Sequence, residues 1–150
     1  MWWAVIGYSL WVGGTFFNMV VVVPMWSYDP PSSVSVFFGE TNFNTTIYNF
    51  FGPPWMLARI FPLLLIVITA TTEQRRWLFI PACCMVVMII FTLTFVYPIN
   101  TVLMTHAGAG KSGEEIKSLV NTWIQADRIR FAVGCIGYFF LLKVFQKSSP

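Results

Sequence analysis

The first 28 residues carry no Asp, Glu, Lys, Arg or His. Within them, Trp3 to Pro24 is long enough to cross a hydrocarbon core of ~30 Å, which takes about 20 residues as a helix. No basic segment precedes the stretch and no small-residue cleavage site follows a short apolar run, so it reads as a span rather than a cleavable signal. Three further apolar stretches follow. One runs from about Trp55 to Thr72, interrupted by Arg59 and Pro62. The next runs from Trp77 to Tyr97, where Pro98 gives a stop. The last runs from about Trp123 to Phe145, with an uncharged core from Phe131 to Leu142. The expected fold is therefore all-α: a single membrane domain over 1–150, an integral membrane four-helix bundle with two long outer loops.

Composition agrees. Only 10% of residues are charged, where a soluble domain carries about a quarter. Aromatic residues reach 18% and hydrophobic residues 57%, which suits a surface facing lipid and headgroups and excludes a disordered chain. Nine Lys and Arg in total are too few for an extended nucleic-acid surface. The expected partners are membrane lipid and a small hydrophobic substrate, with a homo-oligomer left open. Cys83, Cys84 and Cys135 have no C-x-x-C spacing and lie in apolar stretches, so they read as buried structural thiols.

Charge in the loops sets an orientation through the positive-inside bias. Glu73, Arg75 and Arg76 lie between the second and third spans, and Lys143 and Lys147 end the fourth. Residues 27–54 hold Asp29 and Glu40 but no Lys or Arg. Both termini are thus expected in the cytoplasm and the two long loops outside. Val36-Phe37-Phe38 and Ile47-Tyr48-Asn49-Phe50-Phe51 are too apolar to float freely, so the first outer loop is expected to fold down as a partial lid. Residues 107–113 are small and read as a flexible exposed turn. Glu114 to Asn121 reads as the start of a helix continuing into the fourth span. Gly13-Gly14 and Gly134 with Gly137 read as close-packing points.

An ionisable residue inside a span is a functional candidate, because stranding it in hydrocarbon costs several kcal/mol. Arg59, Asp127, Arg128 and Arg130 qualify. Arg59 lies 13 residues before Thr72 and Arg130 lies 13 before Lys143, about 20 Å of helix rise in each case, so the two arginines are expected at similar depth. Trp123, Asp127 and Arg130 follow i, i+4, i+7 spacing and share one helix face. Arg128 points about 160° away from Arg130 and is expected to snorkel to the headgroups. With Asn18 from the first span and Asn100 after Pro98, these residues define one candidate outer pocket: Asn18, Arg59, Asn100, Trp123, Asp127 and Arg130. The competing assignment is interhelical hydrogen-bond glue, with Arg59 and Asp127 as a structural ion pair. His106, the only histidine, falls in a loop and supports no metal or haem site within one chain. Gly110-Lys111-Ser112 lacks the first glycine and the preceding strand of a phosphate-binding loop.

Three segments carry a resemblance. Gly13-Gly14-Thr15-Phe16-Phe17 leading to Val20-Val21-Val22-Val23-Pro24, then Tyr97-Pro98-Ile99-Asn100-Thr101-Val102-Leu103, then Trp123 to Arg130 are similar to the anthrone oxygenase-like family of small four-span membrane proteins. Asp127 stands where many members have histidine. The long first outer loop has no counterpart in the resemblance. Membership implies four spans and the oxidation of polyketide anthrones to anthraquinones by molecular oxygen, with no metal, flavin or other cofactor. Such chemistry needs a base to form the electron-rich anthrolate, a group to hold its oxyanion and an apolar aromatic slot. Asp127 is the candidate base, Arg59 or Arg130 with Asn100 the candidate oxyanion holders, and Trp123 the aromatic wall; Asn18 is a further candidate contact to substrate. Two other functions remain open: an isomerase or cyclase using Asp127 as acid or base, and a non-catalytic protein that binds lipid or another hydrophobe. A transporter is disfavoured, since the chain shows no repeated halves.

Overall fold

The computed structural model describes residues 2–40, 63–64, 67–68 and 70–148. Every regular element among them is helical, and three helices are long and apolar enough to cross a membrane. The protein is an all-α membrane protein. The expected second span lies outside the described residues apart from four helical positions, Leu63, Leu64, Val67 and Ile68. Arg59 and the far half of the first outer loop also lie outside them.

Helix α1 runs over Trp2–Ser27. Two of its hydroxyls are satisfied locally: Ser9 Oγ donates to Val5 O at 2.8 Å and Thr15 Oγ1 to Trp11 O at 2.9 Å, so neither leaves an unpaired group in lipid. At Asn18–Val22 the helix widens into a π turn, in which Val23 N donates to Asn18 O. Pro24 follows at once. A proline ring in an α-helix meets the carbonyl four residues back and removes one hydrogen bond; the wider turn accommodates both effects.

After α1 the chain does not wander. The short helix α2, Ser32–Ser35, continues as a π turn over Val36–Glu40. Ser33 Oγ donates to Trp26 O at 2.7 Å and accepts from Asp29 N at 3.2 Å. Val34 is fully buried, and Phe38 packs on Trp26 with ring centroids 5.5 Å apart. This part of the first loop lies on the end of the bundle, as its apolar content suggests.

Helix α3 begins at Thr72, with Thr71 Oγ1 accepting from Gln74 N, and its first stretch is Thr72–Phe91. The Arg75 guanidinium donates to the carbonyls of Ile68 and Ala70 at 3.1 and 3.2 Å, capping the segment before it. A π turn at Thr92–Val96 precedes Tyr97–Asn100, and a second at Thr101–Thr105 ends the helix. Pro98 therefore does not stop this helix, contrary to the sequence expectation. Tyr97 N bonds Thr92 O five residues back, the same device seen before Pro24.

The segment after Thr105 is tighter than its composition suggests. Gly108 N donates to Val102 O at 2.9 Å and Lys111 N to Gly108 O at 3.1 Å. Gly108 has φ +76°, a conformation that favours glycine, and a Cβ there would also press on the tip of Ile116, 2.7 Å from Cδ1. Helix α4 then runs unbroken over Gly113–Ser148. Its 36 residues span about 54 Å, well beyond a ~30 Å core, so the charged first turns project from the hydrocarbon.

α4 is the central element, packed along α3 most extensively and along α1. It makes two apolar cores. One gathers Tyr8, Trp11, Leu78, Met85, Met88 and Leu141; the other gathers Trp26, Val34, Val96, Leu103, Val120 and Trp123. Close approach to α1 depends on Gly134 and Gly137, where a Cβ would lie 2.2 Å from Trp11 Cζ3 and 2.0 Å from Tyr8 Oη. Gly13 meets nothing within 4 Å among the described residues.

Candidate functional site

Between the two cores lies a polar layer built on α4. Asp127, 1% exposed, forms an ion pair through Oδ1 with Arg130 Nη2, one helical turn further along. Arg130 Nη1 donates to Thr92 Oγ1 at 3.3 Å. Asn18 Nδ2 donates to Asp127 Oδ2 at 3.5 Å. Asn18 and Thr92 are both buried, and each opens the π turn of its helix. The local widening thus falls where α1 and α3 present a polar group to the same ion pair. Such turns recur at functional sites because the extra residue re-aims side chains.

A second contact lies one turn earlier on α4. Trp123 Nε1 donates to Asn100 Oδ1 at 2.6 Å, and both residues are buried. The Trp123 ring meets Trp26 edge to face at a centroid distance of 5.2 Å, and the Arg130 guanidinium carbon lies 5.8 Å from its ring centroid. Trp123 therefore joins the apolar core to the polar layer.

A cavity of about 150 Å³ opens beside these groups, in the groove between α1 and α4. Met19, Val23, Pro24 and Ser27 line it from α1, and Trp123, Ile124, Asp127 and Arg128 from α4. The carboxylate that Arg130 and Asn18 hold is thus also part of a cavity wall. Trp123 and Asp127, 3% and 1% exposed, each reach it with a small part of their surface.

Of the six residues expected to share one pocket, five are described. Asn18, Asp127 and Arg130 form one network, and Trp123 and Asn100 form a pair beside it. Only Trp123 and Asp127 line the cavity. The alternative partner of Asp127, Arg59, lies outside the described residues; among those described, the carboxylate is held by Arg130 and Asn18. Thr92 is a member that sequence reasoning missed, since a threonine in an apolar run carries no signal of its own. Arg128 is exposed, as expected, but it lines the cavity rim. His106 is exposed and ends α3, its backbone N–H donating to Thr101 O at 3.2 Å.

A family model described as anthrone oxygenase matches residues 43–140. No curated protein and no solved structure matches the chain.

Proposed function

Because the chain belongs to the anthrone oxygenase family, we propose that it is a membrane-embedded oxygenase converting a hydroxy-aromatic or polyketide anthrone to the quinone at the α1–α4 cavity. One observation carries the reading: Asp127, a buried carboxylate gripped by Arg130, also lines a cavity walled by Trp123 and apolar side chains. Asp127 Oδ2 has only the 3.5 Å contact from Asn18 and is the free basic atom. It takes a proton from the methylene carbon between the two rings, and the electron pair passes into the aromatic system as an anthrolate. Dioxygen accepts electrons from that carbon and bonds to it. Loss of the second C–H proton and cleavage of the O–O bond leave a carbonyl and one water. The carbon has then lost four electrons, and dioxygen has gained them. Arg130 keeps Asp127 in place and offsets negative charge that develops beside it.

The positive-inside bias of the loop charges supports both termini in the cytoplasm and this cavity toward the outer leaflet, where a hydrophobic substrate would dissolve. A rival reading draws on the closure of the Asn18–Asp127–Arg130–Thr92 network, which suits a structural role. It makes the protein a hydrophobe-binding accessory, or, with Asp127 as a simple proton carrier, an isomerase or cyclase. Oxygen uptake by detergent-purified protein with a panel of anthrones separates these. The oxygenase consumes one dioxygen per quinone formed, above the autoxidation rate, and folded Asp127→Asn loses about a hundredfold or more. Turnover without oxygen uptake assigns an isomerase or cyclase, and thermal stabilisation by ligand without turnover assigns a binder.

A further inference from the structure

The cavity contains a charge that the proposed reaction does not use. Arg128 forms part of its rim and is exposed. Among the described residues no carboxylate pairs with it; the ion pairs there are Lys111–Glu115, Lys117–Glu114 and Arg130–Asp127. Asp127 is its nearest neighbour in sequence, but the ion pair that carboxylate makes is with Arg130. Among the described residues the cavity thus has one positive charge with no carboxylate paired to it. Arg128 is exposed, so its pull on an anion alone is modest; it gains when the anion belongs to a body seated against the apolar walls of the groove.

The shape of the site narrows the ligand. Trp123, Ile124, Asp127 and Arg128 occupy i, i+1, i+4 and i+5 on α4, and Met19, Val23, Pro24 and Ser27 occupy i, i+4, i+5 and i+8 on α1. Each set is one continuous stripe over about two turns, so the cavity is a groove between two parallel walls. Its volume of about 150 Å³ admits one benzene-sized ring. Exposed Pro24 and Arg128 mark where the groove meets its surroundings. A flat polycyclic body can therefore insert one end ring against Trp123, leaving its other end at the rim beside Arg128.

We propose that Arg128 makes this groove a site for a flat aromatic acid: a polycyclic ligand whose carboxylate or phenolate pairs with the guanidinium at the rim while its far ring enters the cavity. A guanidinium suits this task because its planar fork meets a carboxylate with two parallel hydrogen bonds. The inference rests on the proposed function only in taking the aromatic body to be the substrate's, and it adds the acidic group.

The test is binding, with a probe that has no oxidisable methylene. Full-length protein in phosphatidylcholine nanodiscs is titrated with anthracene-2-carboxylate and with uncharged 2-methylanthracene, each corrected for empty nanodiscs. Arg128→Gln is expected to weaken the carboxylate about tenfold and the hydrocarbon less than twofold, while Arg128→Lys, which keeps the charge but not the fork, falls between the wild type and Arg128→Gln. Ile124→Trp, which fills the groove, is expected to weaken both probes. Unchanged carboxylate affinity in a folded Arg128→Gln, or unchanged binding of both probes in Ile124→Trp, overturns the proposal. A further arm replaces a third of the lipid with phosphatidylglycerol. Arg128-dependent competition by that lipid assigns the charge to a headgroup phosphate and overturns the aromatic acid; affinity that is unaffected supports it. Failure here leaves oxygen uptake with an uncharged anthrone untouched, and failure of oxygen uptake leaves these affinities standing.

Discussion

At the scale of single residues, the tightest constraint is the contact of Tyr8 with Gly137. The Tyr8 hydroxyl is buried without a hydrogen-bond partner among the described residues, and a Cβ at position 137 would lie 2.0 Å from Oη and 2.9 Å from Cζ. The ring cannot swing aside freely, since it stacks on Tyr138 at a centroid distance of 6.0 Å. Gly137→Ala is therefore expected to cost about 1–3 kcal/mol, read as unfolding in mixed detergent micelles. Adding Tyr8→Phe removes the atom that clashes most and should restore part of the loss. A double variant no more stable than the single one would locate the strain at the contacts that remain, the ring carbon Cζ at 2.9 Å and Cys84 Cβ at 3.0 Å. The same scale shows what a sequence discloses. Trp123, Asp127 and Arg130 share a face because their spacing follows the helix, and Asp127 finds Arg130 three residues on, so these were legible. Asn18 and Asn100 were legible as polar groups in apolar surroundings, but their partners were not. Thr92 was invisible, since its role depends on which helix lies opposite.

Among elements, α4 shows how a membrane helix is started outside the membrane. Ser112 N donates to Glu115 Oε2 at 2.8 Å and Glu115 N to Ser112 Oγ at 3.3 Å, a reciprocal capping box. Glu115 projects with the charged first turns, beyond the hydrocarbon. The hydrogen bond from the Ser112 backbone, then the Ser112 hydroxyl and Lys111, hold its carboxyl below the ordinary glutamate range. The sign follows from linkage: a depressed value in the folded state contributes stability above the ordinary pKa of about 4.3, and that contribution fades as pH falls through the lowered value. Amide exchange over Glu114–Lys117, corrected for its intrinsic pH dependence, is expected to lose protection in acid, and Glu115→Gln should show the weaker protection already at neutral pH. A pH-independent protection pattern would remove Glu115 from the cap. The course of α3 was less legible. Proline in an apolar run marks the end of a helix on local grounds; only the hydrogen-bond pattern shows the chain widening by one residue and passing through Pro98.

Across the whole molecule, the polar layer divides two apolar cores and touches all three membrane-length helices. A buried ion pair of this kind stabilises little by itself, because desolvation offsets the attraction; removing one partner is what costs, about 3–5 kcal/mol. Arg130→Leu and Asp127→Leu alone should each destabilise by roughly that amount. The double variant should be far milder than their sum, and thermal unfolding of the four proteins completes the cycle. A stable double variant without oxygen uptake would separate the layer's chemistry from its packing. Additive losses would mean that each side chain is held by other groups. The layer's two flanking π turns have another consequence. Each is an α-helix carrying one surplus residue, so removing a residue there returns the helix to its usual winding. Elsewhere in a span, losing one residue turns everything beyond it by about 100° and draws it in by ~1.5 Å. Asn18–Val22 and Thr92–Val96 are accordingly stretches where this chain can lose one residue and still keep both flanks of the helix facing as before.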